Sequence, residues 1–163
     1  MTSNNVTPFR NVKHVSLLWA APERARELSE LHAKLFDPAW DQASIKTMLE
    51  HPASTSLIAV AGEPKTIKGF VIGQLAADEA EILSIGVAPD WQRAGLGKTL
   101  VEGLVRAAKR GEATRLFLEV AEDNAAARAL YAKLGFTEAG RRKAYYQRAG
   151  GPASDALRLV LTF

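Results

Sequence analysis

Apolar residues follow two rhythms along this chain, and the switches between them divide it into strands and helices. Residues 12–19 read as a first strand. A helix is expected over 22–36, where Pro22 suits an N-terminal position and Leu28, Leu31 and Leu35 recur at helical spacing, and Asp37-Pro38 ends it. Asp41 is placed to cap a second, short helix reaching about residue 50, its carboxylate accepting from orphan N–H groups. After His51-Pro52 the pattern becomes that of strands, over 56–60, 67–75 and 80–87, with a turn at Gly62-Glu63-Pro64-Lys65, so three antiparallel strands are expected. From Gly97 the spacing is helical again, with Leu100, Leu104 and Ala108 on one stripe beside Val101 and Val105, and Gly111 closes the helix. A strand over 114–120, a helix over 124–134 closed by Gly135, and a final strand pair over 136–147 and 156–161 complete the series.

A strand, a helix and a strand in succession imply a parallel crossover, so the sheet is mixed and the class is α/β of the α+β kind. At 163 residues the chain fits a single domain spanning 1–163. Residues 1–8 are polar and are expected to be flexible.

Composition narrows the chemistry. With 47% apolar and 24% charged residues the chain lies in the range of soluble globular proteins. It contains no cysteine, which excludes disulfides, zinc–thiolate sites and a cysteine nucleophile. His14, His32 and His51 form no ligand spacing, so no metal is expected. The apolar run over 15–21 is at the short limit for a signal peptide and is stopped by Pro22-Glu23-Arg24, and no run approaches the ~18 apolar residues of a membrane span. A cytoplasmic protein is expected, with no membrane partner.

One stretch stands apart. Gln92-Arg93-Ala94-Gly95-Leu96-Gly97-Lys98-Thr99 joins a strand to a helix, where glycines let the backbone approach a ligand and a helix start presents free N–H groups to an anion. Residues 91–148 carry twelve Lys and Arg against six Asp and Glu, a field that favours an anionic cofactor or nucleic acid. Base-stacking aromatics are sparse there, which favours the cofactor. A nucleotide P-loop would need a further glycine where Gln92 stands, and the dinucleotide fingerprint fails at Leu100.

Read as [QR]-x-x-G-x-[GA], the segment resembles the pyrophosphate loop of the GNAT superfamily of acetyl-CoA-dependent N-acetyltransferases. Leu116-Phe117-Leu118-Glu119-Val120, Asn124-Ala125-Ala126-Ala127-Arg128-Ala129-Leu130-Tyr131 and Leu134-Gly135-Phe136 resemble further signatures of that fold. Glu81-Ile82-Leu83-Ser84-Ile85-Gly86-Val87-Ala88-Pro89 and Arg141-Arg142-Lys143-Ala144-Tyr145-Tyr146 are similar to segments of its RimI-type ribosomal-protein N-alpha-acetyltransferases. The resemblance covers most of residues 66–163. It implies a mixed, mostly antiparallel sheet of about six or seven strands flanked by about four helices and splayed at the cofactor cleft.

It also implies roles. The backbone from Arg93 through Ala94, Gly95, Leu96 and Gly97 to Lys98 would hold the pyrophosphate of acetyl-CoA, with Gln92 beside it, charge from Arg93 and Lys98, and the Thr99 hydroxyl as a further donor. The alternative is an ordinary glycine-bearing helix entry. Pro89 cannot donate a ladder hydrogen bond, so pairing is expected to end near Val87-Ala88 and open a cleft where Ile85 and Val87 offer backbone partners to the pantetheine arm, and an N–H near Val87 an oxyanion donor. The alternative is a strand that simply ends at proline. Glu119 is a carboxylate in an apolar strand, which needs a partner or a solvated cleft. The resemblance makes it the general base, acting through water, whereas a structural role would pair it with a neighbour such as Arg115 or Arg128. Tyr131 is the implied general acid for the departing thiolate, or else a tyrosine packed at a helix–sheet seam. Asn124 either contacts the cofactor or caps its helix. Trp40, in the turn 36–40, belongs to the core or to the acceptor loop, whose other wall would be the loop over 145–151 with Tyr145 and Tyr146.

The expected reaction is direct transfer to a protein N-terminal amine of a ribosomal protein, by a monomer or weak homodimer. An α-amine, with pKa about 8, is roughly one-tenth neutral at pH 7, and a lysine, with pKa about 10.4, only about 0.04%, so a weak carboxylate base suits the former. A lysine or small-amine acetyltransferase, a silent CoA-binding module and a nucleic-acid binder are the alternatives.

Overall fold

The computed structural model describes residues 11–163. The expectation for residues 1–8 lies outside the described residues. Seven strands form one sheet in the order β1-β2-β3-β4-β5-β7-β6: β1 (Ser16–Trp19), β2 (Leu57–Ala61), β3 (Thr66–Ala76), β4 (Glu79–Val87), β5 (Arg115–Ala121), β6 (Thr137–Tyr146) and β7 (Ser154–Thr162). Every neighbouring pair is antiparallel except β4 and β5, which the crossover through α3 (Leu96–Arg110) makes parallel. The other helices are α1 (Ala25–Leu35), α2 (Gln42–Glu50) and α4 (Ala125–Lys133).

Most elements fall where the apolar rhythm places them. Asp41 caps α2 by accepting from the Ser44 N–H at 2.8 Å. On α3, Leu96, Leu100, Val101, Leu104 and Ala108 are buried, each leucine contributing about 1.5–3 kcal/mol against exposure. The expected first strand is shorter than 12–19, because Val12–His14 forms a 3-10 turn closed by the Asn11 side chain on the Lys13 N–H. Pro22–Arg24 is likewise a 3-10 turn leading into α1. Strand β7 inserts between β5 and β6, so the last two strands are a pair with the second one inward.

The two faces of the sheet are covered differently. A Cβ on Gly69 would meet Leu96 and Leu100 of α3, and one on Gly86 would meet Leu35 of α1 at 2.6 Å. Gly86 pairs with Phe70, next along β3 from Gly69, so α1 and α3 lie on opposite faces. Glycine at 86 is what lets the end of α1 settle onto the middle of the sheet.

Candidate functional site

The loop before α3 presents bare backbone donors. The N–H groups of Gln92 and Thr99 donate to Pro89 O and Gly95 O, while those from Arg93 to Lys98 make no well-aligned hydrogen bond to a described residue. Arg93 (φ +61°) and Gly95 (φ +84°) take left-handed conformations at a helix start, backbone geometry of the kind that suits an anion. The Thr99 hydroxyl donates to Gly95 O at 3.0 Å, across the first turn of the helix. Lys98 faces Glu102 at 3.8 Å on the exposed side of the helix.

A cleft opens beside this loop. Strands β4 and β5 pair only from Glu79↔Arg115 to Ile82↔Leu118, although β4 stays on β3 as far as Val87 and β5 stays on β7 as far as Ala121. The parting begins at Leu83, well before Pro89, where a one-residue bulge against Ile72/Gly73 re-aims β4. Beyond it the Ala88 N–H donates to Lys68 O on β3, so the carbonyl of the same peptide unit, Val87 O, points into the cleft. Alternation places the Ile85 and Val87 backbone groups on that side. The Gln92 side chain donates to Val87 O at 3.1 Å. Gln92 therefore ties the loop to the strand.

Glu119 borders the splay on β5. It shares a face with Phe117, and Phe117 sits opposite Glu81, on the α1 side of the sheet. Its side chain is 19% exposed and meets Arg142 at 3.0 Å, not Arg115 or Arg128. Arg115 is held by Glu79 at 2.6 Å, and Arg128 donates to Glu122 O. Burial, and next the charge of Glu119, raise the Tyr146 phenol pKa. Tyr145 packs edge-on against Tyr146 at 5.2 Å and under the Arg142 guanidinium. The following turn is anchored by a bidentate contact from Arg148 to Asp123, at 2.9 and 2.7 Å.

Tyr131 lies on α4, on the other face. It is 5% exposed, its ring packs against Phe136 at 5.5 Å, and burial pushes its pKa up to about 12. Its hydroxyl has no hydrogen-bond partner among the described residues. Asn124 caps α4 by accepting from the Ala127 N–H at 3.2 Å, which leaves its amide hydrogens for another partner.

Trp40 is half-buried and follows α1, whose His32 is 2% exposed. His32 supplies no metal-ligand spacing, yet its position completes the stripe Leu28, Leu31, Leu35. A polar ring on an apolar stripe demands partners, and that was the available signal. The partners are the Trp40 N–H at 3.1 Å and the Ser84 hydroxyl at 3.3 Å. Arg142 had no comparable signal, because a register shift between Arg142 and Tyr146, with Ala144 at φ +52°, sets its direction.

Two concavities among the described residues flank α4 rather than the splay. One, of about 390 Å³, lies over Phe136, Leu157 and Leu159, and the other, of about 460 Å³, lies between α3 and α4. Among the described residues no group of His, Asp and Glu is placed to hold a metal, and no helix is long and apolar enough to cross a membrane.

Residues 25–136 match the model of the acetyltransferase (GNAT) family. Over 93 residues the chain is 50% identical to the [ribosomal protein bS18]-alanine N-acetyltransferase of Escherichia coli K12, covering 56% of this chain and 62% of that one. The chain thus spans under two-thirds of the length of that relative. Over 135 residues it is 35% identical to the N-alpha-acetyltransferase RimI of Mycobacterium tuberculosis, covering 79% of this chain and 82% of the other. Its fold is similar to the crystal structure of the ribosomal-protein-S18-alanine N-acetyltransferase from Escherichia coli, with TM-score 0.82, 29% identity and coverage of 91% and 93%.

Proposed function

The chain belongs to the acetyltransferase (GNAT) family, and from that premise we propose that it moves the acetyl group of acetyl-CoA directly to the N-terminal α-amine of a protein, with a ribosomal protein as acceptor. The observation that carries this is the splay of β4 from β5, with the bare N–H groups of residues 93–98 at its mouth. The names and identities of the Escherichia coli and Mycobacterium tuberculosis relatives support the α-amine and the ribosomal acceptor.

The residues present fit the cosubstrate. An anion-binding loop suits a pyrophosphate, and the backbone groups of Ile85 with the Val87 N–H suit an amide-bearing arm that completes the missing ladder. When bound, the cosubstrate supplies an acyl carbon and a thiolate leaving group. Glu119, on the α1 face, accepts a proton from the acceptor amine through water as the nitrogen–carbon bond forms. Tyr131, on the α4 face, returns a proton to the sulfur as the carbon–sulfur bond breaks. A phenol pushed up to about 12 stays protonated and available at neutral pH. Base and acid on opposite faces flank a gap that runs between them, so acceptor and cosubstrate enter from different sides. Trp40, Tyr145 and Tyr146 wall the acceptor side, and the Val87 N–H is positioned in the cleft to steady the carbonyl oxygen.

The test is thiol release from acetyl-CoA with a peptide copying the N-terminus of bS18, against the same peptide with its α-amine blocked and an internal lysine free. Turnover on the free α-amine alone supports the proposal. Turnover on lysine alone, or cosubstrate binding without turnover on either, overturns it.

A further inference from the structure

The loop between α1 and α2, residues 36–41, hangs from one side chain. The Phe36 N–H closes α1 on His32 O, and Asp41 caps α2. Among the described residues, the hydrogen bond from the Trp40 N–H to His32 Nδ1 is the one that ties residues 37–40 to the rest of the protein. Because Nδ1 accepts, the proton of the neutral ring sits on Nε2, which faces the Ser84 hydroxyl. Phe36 and Trp40 lie nearly parallel to the imidazole at 4.4 and 4.9 Å, and Phe70 of β3 tilts against it at 5.8 Å. Ser84 stands on β4 immediately before Ile85, inside the splayed segment. One buried ring therefore joins helix, loop and cleft strand. If it only filled space, a leucine would serve as well, without two ring nitrogens to satisfy.

We infer that His32 is a positioning residue: through its bond to the Trp40 N–H it fixes the loop 36–41 against the splay and so sets affinity for the acceptor amine. This rests on the proposed role of that loop as an acceptor wall. The acceptor amine meets a wall that is already in place, and removing the Nδ1 acceptor leaves the Trp40 N–H unsatisfied and the wall mobile.

Two substitutions separate positioning from packing. The amide oxygen of His32→Asn falls near the place of Nδ1 and keeps an acceptor for the Trp40 N–H. The longer His32→Gln reaches toward Ser84 and withdraws that acceptor. With acetyl-CoA and the bS18 peptide, H32Q is expected to raise the peptide KM about tenfold, the worth of one buried hydrogen bond. Its acetyl-CoA KM and kcat should stay near wild type, and H32N should recover most of the peptide KM. An unchanged peptide KM in H32Q, or an equal rise in H32N, overturns the inference. Amide exchange of the Trp40 N–H supplies an arm that needs no turnover: exchange should quicken in H32Q and not in H32N, and equal rates in all three proteins overturn the inference even if the wild type acetylates nothing. If H32Q does not fold, His32→Leu, which also lacks the acceptor, replaces it in both arms.

Discussion

Gly95 opens α3 at φ +84° and ψ +11°, and a Cβ built there would meet nothing within 4 Å. Gly95→Ala is therefore a change of backbone preference without a steric clash. Holding an L side chain in the left-handed region costs roughly 1–2 kcal/mol. If the loop keeps its shape, that cost appears as lost stability, a fall in Tm of roughly 2–8 °C at about 2–4 °C per kcal/mol for a chain of this size. If the loop instead relaxes, Tm holds and the cost appears on binding, as a roughly 5–30-fold weaker affinity for CoA. The two losses should sum to the same free energy. Asparagine visits the left-handed region readily, so Gly95→Asn should recover most of either loss. Scanning calorimetry gives the first quantity and titration calorimetry with CoA the second. Wild-type values for both in Gly95→Ala, or an asparagine variant as impaired as the alanine one, would refute the assignment of this loop as a conformationally set anion cradle.

Glu119→Gln should lower kcat by about 10²–10⁴ while leaving Tm nearly unchanged, since its partner Arg142 is largely exposed and such pairs contribute about 0–1 kcal/mol; steady-state kinetics and a melting curve check both. Tyr131→Phe should lower kcat by a similar factor and hold or slightly raise Tm, because the hydroxyl it removes has no partner among the described residues; a loss of stability with activity intact would make Tyr131 structural. With its pKa at about 12, Tyr131 should cause no fall in kcat between about pH 8 and 10, which a pH–rate profile tests. Burial lowers the His32 pKa from 6.5, so the unfolded chain takes up its proton first and stability should fall as pH drops below about 6.5. Tm measured from about pH 5 to 7.5 should fall less steeply in His32→Asn than in the wild type.

Much of the frame is written locally. The Leu28, Leu31, Leu35 and Leu100, Leu104, Ala108 stripes, the Asp41 cap and the glycine-bearing loop each depend on residues a few positions apart, and each appears where its pattern lies. Contacts that join distant segments were not legible. The insertion of β7 beside β5, the bulge at Leu83 and the register shift that carries Arg142 to Glu119 depend on which strand finds which neighbour, and side-chain periodicity is the same for every choice. Glu119 was legible as a carboxylate that needs a reason, but its partner was not. His32 fell between the two cases: its place on an apolar stripe was visible, while Ser84, fifty-two positions away, was not.

Acetyl transfer to an α-amine is tested most directly by incubating the protein with acetyl-CoA and a single peptide that carries both a free N-terminal alanine and an internal lysine, and locating the acetyl group by fragment mass. Glu119, Tyr131 and the aromatic walls predict the label on the alanine nitrogen and its loss in Glu119→Gln. Label on the lysine, or label on the alanine that persists undiminished in Glu119→Gln, would contradict them.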